Sequence, residues 1–331
     1  MVKFSSDRIR ELKENFRGKK IAVIGDMMLD CYFRGEVSRI SPEAPVPVIE
    51  VQNEFFRFGG AANVALNILK LGGIPFPVGV IGADNDGAVF KSLIEQSGIN
   101  SEGIFTDKER PTTAKTRVIA HTQHLVRIDK ESKVAISSDI KEMILSFINN
   151  HLSDFDAIIL EDYNKGVLIS DLIEEVIHTA KENNILITVD PKFNNFFSYK
   201  YVNVFKPNRK EAEDVLGMKI LTADDVSYAG RKILELLEAE YVLLTLGAEG
   251  IAVFEKGKAE KRMSTKARKV ADVSGAGDTV ISTLTMAMAA GADILEASYL
   301  ANYAGGLVCE EVGIVPIEID NLFNTVLEED I

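Results

Sequence analysis

The chain is predicted to be an α/β protein, a doubly wound and mostly parallel sheet with helices on both faces and a small β-sheet lid. Two observations carry this. Short, largely apolar β-branched runs alternate with amphipathic helical stretches from residue 20 to 247. Such continuous apolar runs mark parallel strands covered on both faces. Two stretches, 33–53 and 112–129, break the rhythm with alternating strands and no helical crossover. Long insertions of this kind in a compact domain serve as lids or binding loops.

The elements follow in order. Ile9, Leu12 and Phe16 share one face of a short N-terminal helix. KIAVIG (20–25) is a buried strand, and the lid stretch 33–53 follows, with three prolines and alternating Val46, Val48 and Val51. ANVALNILKLG (62–72) is a helix, PVGVIG (77–82) a strand, and a helix lies near 86–97. After the second lid stretch come the strand DAIILE (156–161), a helix over 170–182 and the strands ILITVD (185–190) and VNVFK (202–206). A helix over 222–238 leads to the strand YVLLTLG (241–247), and GIAVFEK and AEKRMST read as two short strands. Two helices, 276–290 and 293–311, follow a glycine turn.

Composition bounds the function. The 331 residues, expected to form one domain (1–331), are 46% hydrophobic and 26% charged, ordinary globular values. The net charge of −13 argues against a broad nucleic-acid surface, which needs a basic footprint. Cys31 and Cys309 cannot build a disulfide framework, and the four histidines form no zinc pattern. The N-terminus is too charged for a signal peptide, and the uncharged run Thr279–Ala292, 14 residues long, is too short for a membrane span. A soluble cytoplasmic protein without membrane or nucleic-acid partners is expected.

The strongest motif is Asp272-Val273-Ser274-Gly275-Ala276-Gly277-Asp278 before a long apolar helix. The turn at Gly275, Ala276 and Gly277 lets backbone N–H groups converge, and the helix dipole adds partial positive charge there. That suits charge developing on a transferring phosphoryl group. Asp278, in the first helical turn, can take a proton from an attacking hydroxyl. Gly59 and Gly60 precede a second helix whose first turn carries Asn63, a hydroxyl binder. Asp30 follows the first strand's carboxyl end, where open α/β sheets bind ligands. The chain contains no GxxxxGK[ST] and no strand-borne dinucleotide fingerprint.

These motifs resemble the ribokinase-like (phosphofructokinase B) sugar kinases over about residues 19–315. DVSGAGD is similar to that family's C-terminal signature and FGGAANVALNILKLG to its N-terminal one. Within the family, GDMMLDCYFRGEVSRISPEAPVPVIEV, EDYNKG and DPK are similar to the heptose 7-phosphate kinases of lipopolysaccharide core synthesis. The chain stops at Ile331, which matches the stand-alone kinase without an adenylyltransferase domain.

The resemblance implies an ATP- and Mg2+-dependent kinase that phosphorylates the anomeric hydroxyl of D-glycero-D-manno-heptose 7-phosphate. It implies Asp278 as base and residues 275–277 as anion hole. Asn208 and Glu211 match NxxE, which positions magnesium partly through water. Thr245, Gly247, Gly250 and Asn302 would line the nucleotide. Asp30, Gly59, Gly60 and Asn63 would hold sugar hydroxyls. Asp162, Lys165, Asp190 and Lys192 would face the pocket after two parallel strands, and Arg127 would reach it from the lid. Lys165, Lys192 and Arg127 are the cations for a substrate phosphate. Some relatives bind a monovalent cation near the position of Asp272.

The sequence departs from the pattern at three places, four residues in all. Cys31 stands where a basic residue is common, Glu161 where a small one is usual, and Val273-Ser274 where Thr-Thr or Val-Thr is common. The first two bear on substrate choice. A kinase of another sugar is the alternative. A non-catalytic sugar-binding relative would have lost Asp278 or the glycine turn, and both are intact. Alternating apolar residues of the lid, with nothing in sequence to cover their outer face, predict a homodimer through 33–53 and 112–129.

Overall fold

A computed structural model describes residues 4–121, 123–266, 271–311 and 313–330. Its first half runs α1 (Ser6–Phe16), β1 (Lys20–Gly25), β2 (Met27–Ile40), β3 (Pro47–Gly60), α2 (Ala61–Lys70), β4 (Ile74–Gly82), α3 (Asn85–Ser97), β5 (Ile104–Asp107), β6 (Thr113–Ala120), β7 (Gln123–Lys130) and α4 (Ser138–His151). The second half runs β8 (Ala157–Glu161), α5 (Ser170–Glu182), β9 (Leu186–Asp190), β10 (Val204–Phe205), α6 (Arg209–Leu216), α7 (Ala223–Leu237), β11 (Tyr241–Thr245), β12 (Ile251–Glu255), β13 (Lys261–Met263), α8 (Ala276–Ala289), α9 (Ile294–Cys309) and α10 (Ile319–Asp330).

Nine strands make one sheet in the order β13-β12-β11-β10-β9-β8-β1-β4-β5, parallel except at β12 and β13. Because strand side chains alternate, each strand except the edge strand β13 feeds both cores. Ile21, Val23, Ile159, Val204 and Leu243 join α1, α2, α8, α9 and α10 on one face. Ala22, Ile24, Ile158, Leu160, Val242 and Leu244 join α4, α5 and α7 on the other. The doubly wound reading holds, and each face is closed by helices whose apolar stripes are buried. Capping fixes several helix starts: Asp84 accepts from the Gly87 N–H at 3.0 Å, and Asn208 and Glu211 form a reciprocal capping box on α6.

The lid is a separate four-stranded sheet, β3-β2-β6-β7. Its strands run further than predicted. The first stretch extends from 33–53 to 27–60, so Asp30 lies on β2, and Gly59 and Gly60 end β3. The second runs 113–130, and Thr122 within it is outside the described residues. The extension follows from pairing: Met27 to Tyr32 match Gly60 to Phe55 in unbroken register, so the hairpin zips down to the body. Among the described residues no helix is long and apolar enough to cross a membrane.

Candidate active site

The carboxyl ends of β1, β8, β9 and β10 lie side by side, and register sets what stands there. Gly25 pairs with Glu161, and Glu161 with Asp190. Phe205 pairs with Val189, so Lys206 comes next to Asp190. Lys206 Nζ lies 2.7 Å from Asp190 Oδ2, and both side chains are almost fully buried. Gly25 has no room for a side chain, since a Cβ there would meet the Glu161 carbonyl oxygen at 2.0 Å.

Asp278 overhangs this row from the first turn of α8, whose N-cap Gly275 sits at φ 79, a left-handed value that favours glycine. Asn63 Nδ2 donates to its Oδ2 at 2.7 Å and the Tyr163 hydroxyl donates to its Oδ1 at 2.8 Å. Burial pushes its carboxyl up to about 6, opposed by these two hydrogen bonds; Asp190 raises it further and Lys206 lowers it. A carboxylate titrating there is suited to accept a proton near neutral pH. Gly277 keeps the approach open, because a Cβ there would stand 3.6 Å from Asp190 Oδ2 and 3.8 Å from Lys206 Nζ.

Asp26, which sequence reasoning passed over, organises the loop that brings Tyr163 in. Its buried carboxylate accepts from the backbone N–H groups of Tyr163 (2.8 Å), Lys165 (3.0 Å) and Val167 (3.3 Å). Asp162 is turned away from Asp278: it accepts from the Asn164 N–H (2.7 Å), Asn195 Nδ2 (3.1 Å) and the Tyr199 hydroxyl (2.7 Å), and braces the same loop. The alternation of β8 explains this, because Glu161 and Asp162 are neighbours and point to opposite sides.

On the other flank, Asn208 caps α6 and forms an isolated parallel bridge with Thr245 at the end of β11. Glu211 Oε2 accepts from the Asn208 N–H at 2.8 Å, and Lys192 pairs with Glu211 Oε1. Burial works against the Lys192 charge, yet Asp190 and Glu211 hold its ammonium above the ordinary value. Gly247 and Gly250 follow Thr245 at φ 62 and 92. At Gly250 a Cβ would also meet the Met263 carbonyl oxygen at 2.0 Å. Asn302 on α9 donates to the Ser264 carbonyl at 2.7 Å and borders a cavity of about 560 Å3 with Tyr299, Leu295 and Lys266.

The lid closes the remaining side. Asp30 is buried and pairs with Arg117 on β6. Gly59 leaves room for that carboxylate, since a Cβ there would come within 2.6 Å of Asp30 Oδ2. Register puts Arg57 and Lys115 on either side of Asp30, and Lys115 Nζ stands 5.5 Å from the centre of the Tyr163 ring. Lys192 Nζ stands 5.0 Å from that ring. Lys115 makes no ion pair among the described residues, and burial lowers its pKa.

The structure therefore gathers Asp278, Asn63, Asp190, Lys192, Glu211 and residues 275–277 at the strand ends, with Asp30, Gly59 and Gly60 on the lid edge above. Two predicted cations are engaged elsewhere: Arg127 lies along Asp129 on the exposed strand β7, and Lys165 Nζ is 2.8 Å from Glu131. Asp272 accepts from the N–H groups of Ser274 (2.9 Å) and Gly313 (3.1 Å). Tyr163, Lys206, Lys115 and Arg117 lie in stretches that the sequence singles out, but no motif in it marks them as site residues. Lys206 could have been found from the strand VNVFK, whose last residue falls at the ligand end of the sheet.

The profile of the pfkB family of carbohydrate kinases matches residues 18–319. Curated relatives named bifunctional protein HldE include one from Desulfatibacillum aliphaticivorans, 42% identical over 303 residues, covering 92% of this chain and 62% of that protein. Another, from Geobacter sulfurreducens, is 41% identical over 300 residues, covering 90% and 61%. The chain thus spans less than two thirds of the length of these relatives. Arabidopsis thaliana ribokinase complexed with ribose and ATP superposes with a TM-score of 0.73 at 20% identity, over 94% of this chain and 99% of that one. Escherichia coli phosphofructokinase-2 in complex with fructose-6-phosphate gives 0.73 at 17% identity, with the same coverages of 94% and 99%. At such identities these two speak for the ribokinase-like fold alone, while the profile, running over nearly the whole chain, carries the assignment: the protein belongs to the pfkB family of carbohydrate kinases.

Proposed function

We propose that the protein transfers the γ-phosphoryl group of ATP to the anomeric hydroxyl of D-glycero-D-manno-heptose 7-phosphate, giving the 1,7-bisphosphate. The observation that carries the reading is the buried Asp278 carboxylate, held by Asn63 and Tyr163 at the N-terminus of α8. Asp278 accepts the sugar hydroxyl's proton, and the N–H groups at 275–277 receive the charge of the transferring group. The HldE relatives at about 40% identity and the SRISPEAPVPV stretch support heptose as the sugar.

Mg2+ fits the donors on the nucleotide flank. Glu211 offers a hard carboxylate, fixed by the Asn208 N–H and Lys192, in the first turn of the helix whose N-cap Asn208 bridges to Thr245. Bound there through water, Mg2+ would neutralise charge on the ATP phosphates. Thr245, Gly247, Gly250 and Asn302 line the nucleotide in this reading.

The substrate phosphate needs fixed cations. In this reading Lys115 and Lys192, 5.5 and 5.0 Å from the centre of the Tyr163 ring, supply them together with Arg117, while Arg127 pairs with Asp129. The lid's other face leaves Val51, Val126 and Ile128 half exposed, which supports a homodimer through the lid. A panel of sugars and sugar phosphates assayed for ADP release tests the substrate. Heptose 7-phosphate should give the highest kcat/KM, and Lys115→Ala should raise KM for it far more than for ATP. Preference for an unphosphorylated sugar would overturn the reading.

A further inference from the structure

We propose that Glu161, Asp190 and Asp278 form a divalent-cation site that binds Mg2+ or Mn2+ in the absence of nucleotide, with Glu161 as the ligand that completes it. One carboxylate oxygen from each of the three lies within 4.8 Å of the other two, and all three residues are buried. Both oxygens of Glu161 are inaccessible and have no hydrogen-bond partner among the described residues, and the residue is 0% exposed. A buried carboxylate left without donors is strongly unfavourable while it is charged, and it is relieved either by taking up a proton or by coordinating a metal ion.

The neighbours do not resolve it otherwise. Lys206 is committed to Asp190 Oδ2 and Lys192 to Glu211 Oε1, and neither reaches Glu161 within ion-pair distance. Among the described residues Asp190 Oδ1 takes no hydrogen bond, its partner Oδ2 being the atom paired with Lys206, while each Asp278 oxygen takes a single donor and retains a lone pair. With all three carboxylates ionised, the Lys206 ammonium offsets one charge and two remain for a bound ion to balance, while Lys192 and Glu211 cancel. An all-oxygen set with that deficit suits a hard divalent ion. The site is separate from Glu211, does not depend on which sugar is phosphorylated, and gives up Asp278 once ATP and sugar bind, so that this carboxylate is free to take the hydroxyl proton.

The test uses full-length, nucleotide-free protein stripped with chelator and titrated with Mn2+, followed by electron paramagnetic resonance and calorimetry. One site per chain is expected, displaced by Mg2+. Glu161→Gln, which keeps the shape, should weaken it by at least about tenfold, a scale that even ligand-supporting groups reach. Glu211→Gln should retain it. Absence of stoichiometric Mn2+ binding by the wild-type protein overturns the proposal and needs no variant to fold. So does wild-type affinity in Glu161→Gln, or loss of the site in Glu211→Gln instead.

Discussion

Replacing Tyr163 by Phe removes one hydroxyl and leaves the ring, so Lys115 and Lys192 keep their aromatic neighbour. The hydroxyl donates to Asp278 Oδ1 at 2.8 Å and is held protonated, since burial and the nearby carboxylates raise its pKa well above the ordinary tyrosine value. It therefore favours the ionised form of Asp278, whose carboxyl stands at about 6. A hydrogen bond to a charged group contributes about 1.5–3 kcal/mol. At roughly 1.4 kcal/mol per pH unit, its loss should raise the Asp278 pKa by about 1–2 units. The base works only when ionised, so activity is lost as pH falls through the pKa. The wild-type acid limb of kcat/KM should lie near pH 6, and in Tyr163→Phe it should move up by about 1–2 units. At pH 7 the rate should drop about 2–10-fold and recover above about pH 9. The assay is ADP release across pH 5–10 at subsaturating sugar. A rate lowered equally at every pH, or a limb that stays in place, would refute the role given to Tyr163.

Asp278→Asn should keep the fold and ATP binding and lose about 10²–10⁴-fold in turnover, measured in single-turnover assays; a near wild-type rate would remove Asp278 as base. Lys206→Met leaves Asp190 buried without its cation, and urea unfolding should report a loss of about 3–5 kcal/mol; a loss below about 1 kcal/mol would mean that the pair adds little. Light scattering at micromolar concentration should give twice the 36.4 kDa chain mass, and the double variant Val126→Glu, Ile128→Glu should give a monomer. A wild-type monomer would refute the lid interface.

The alternation of strands and helices, the glycine turns before α2 and α8, and the place of Asp278 in a first helical turn were all legible in the sequence, because each is a local pattern of apolar period or backbone freedom. α4 also carries Ile140, Ile144 and Ile148 at helical spacing, although it is not among the predicted elements. α6 and β5 gave little signal: α6 is eight residues, mostly charged, and β5 is four residues without an apolar run. What only the tertiary structure decided is which groups meet. The sequence places Glu161 and Asp162 together at a strand end and cannot say which one faces Asp278. Parallel register aligns Glu161 with Asp190 and brings Lys206 beside them, and a slip of one residue would exchange the two faces. Tyr163 reaches Asp278 across 115 residues of chain because Asp26 ties down its loop, and Lys115 comes over that ring because the lid folds back. Contacts so distant in sequence carry no periodic trace; they arise from register and the closing of one sheet over another.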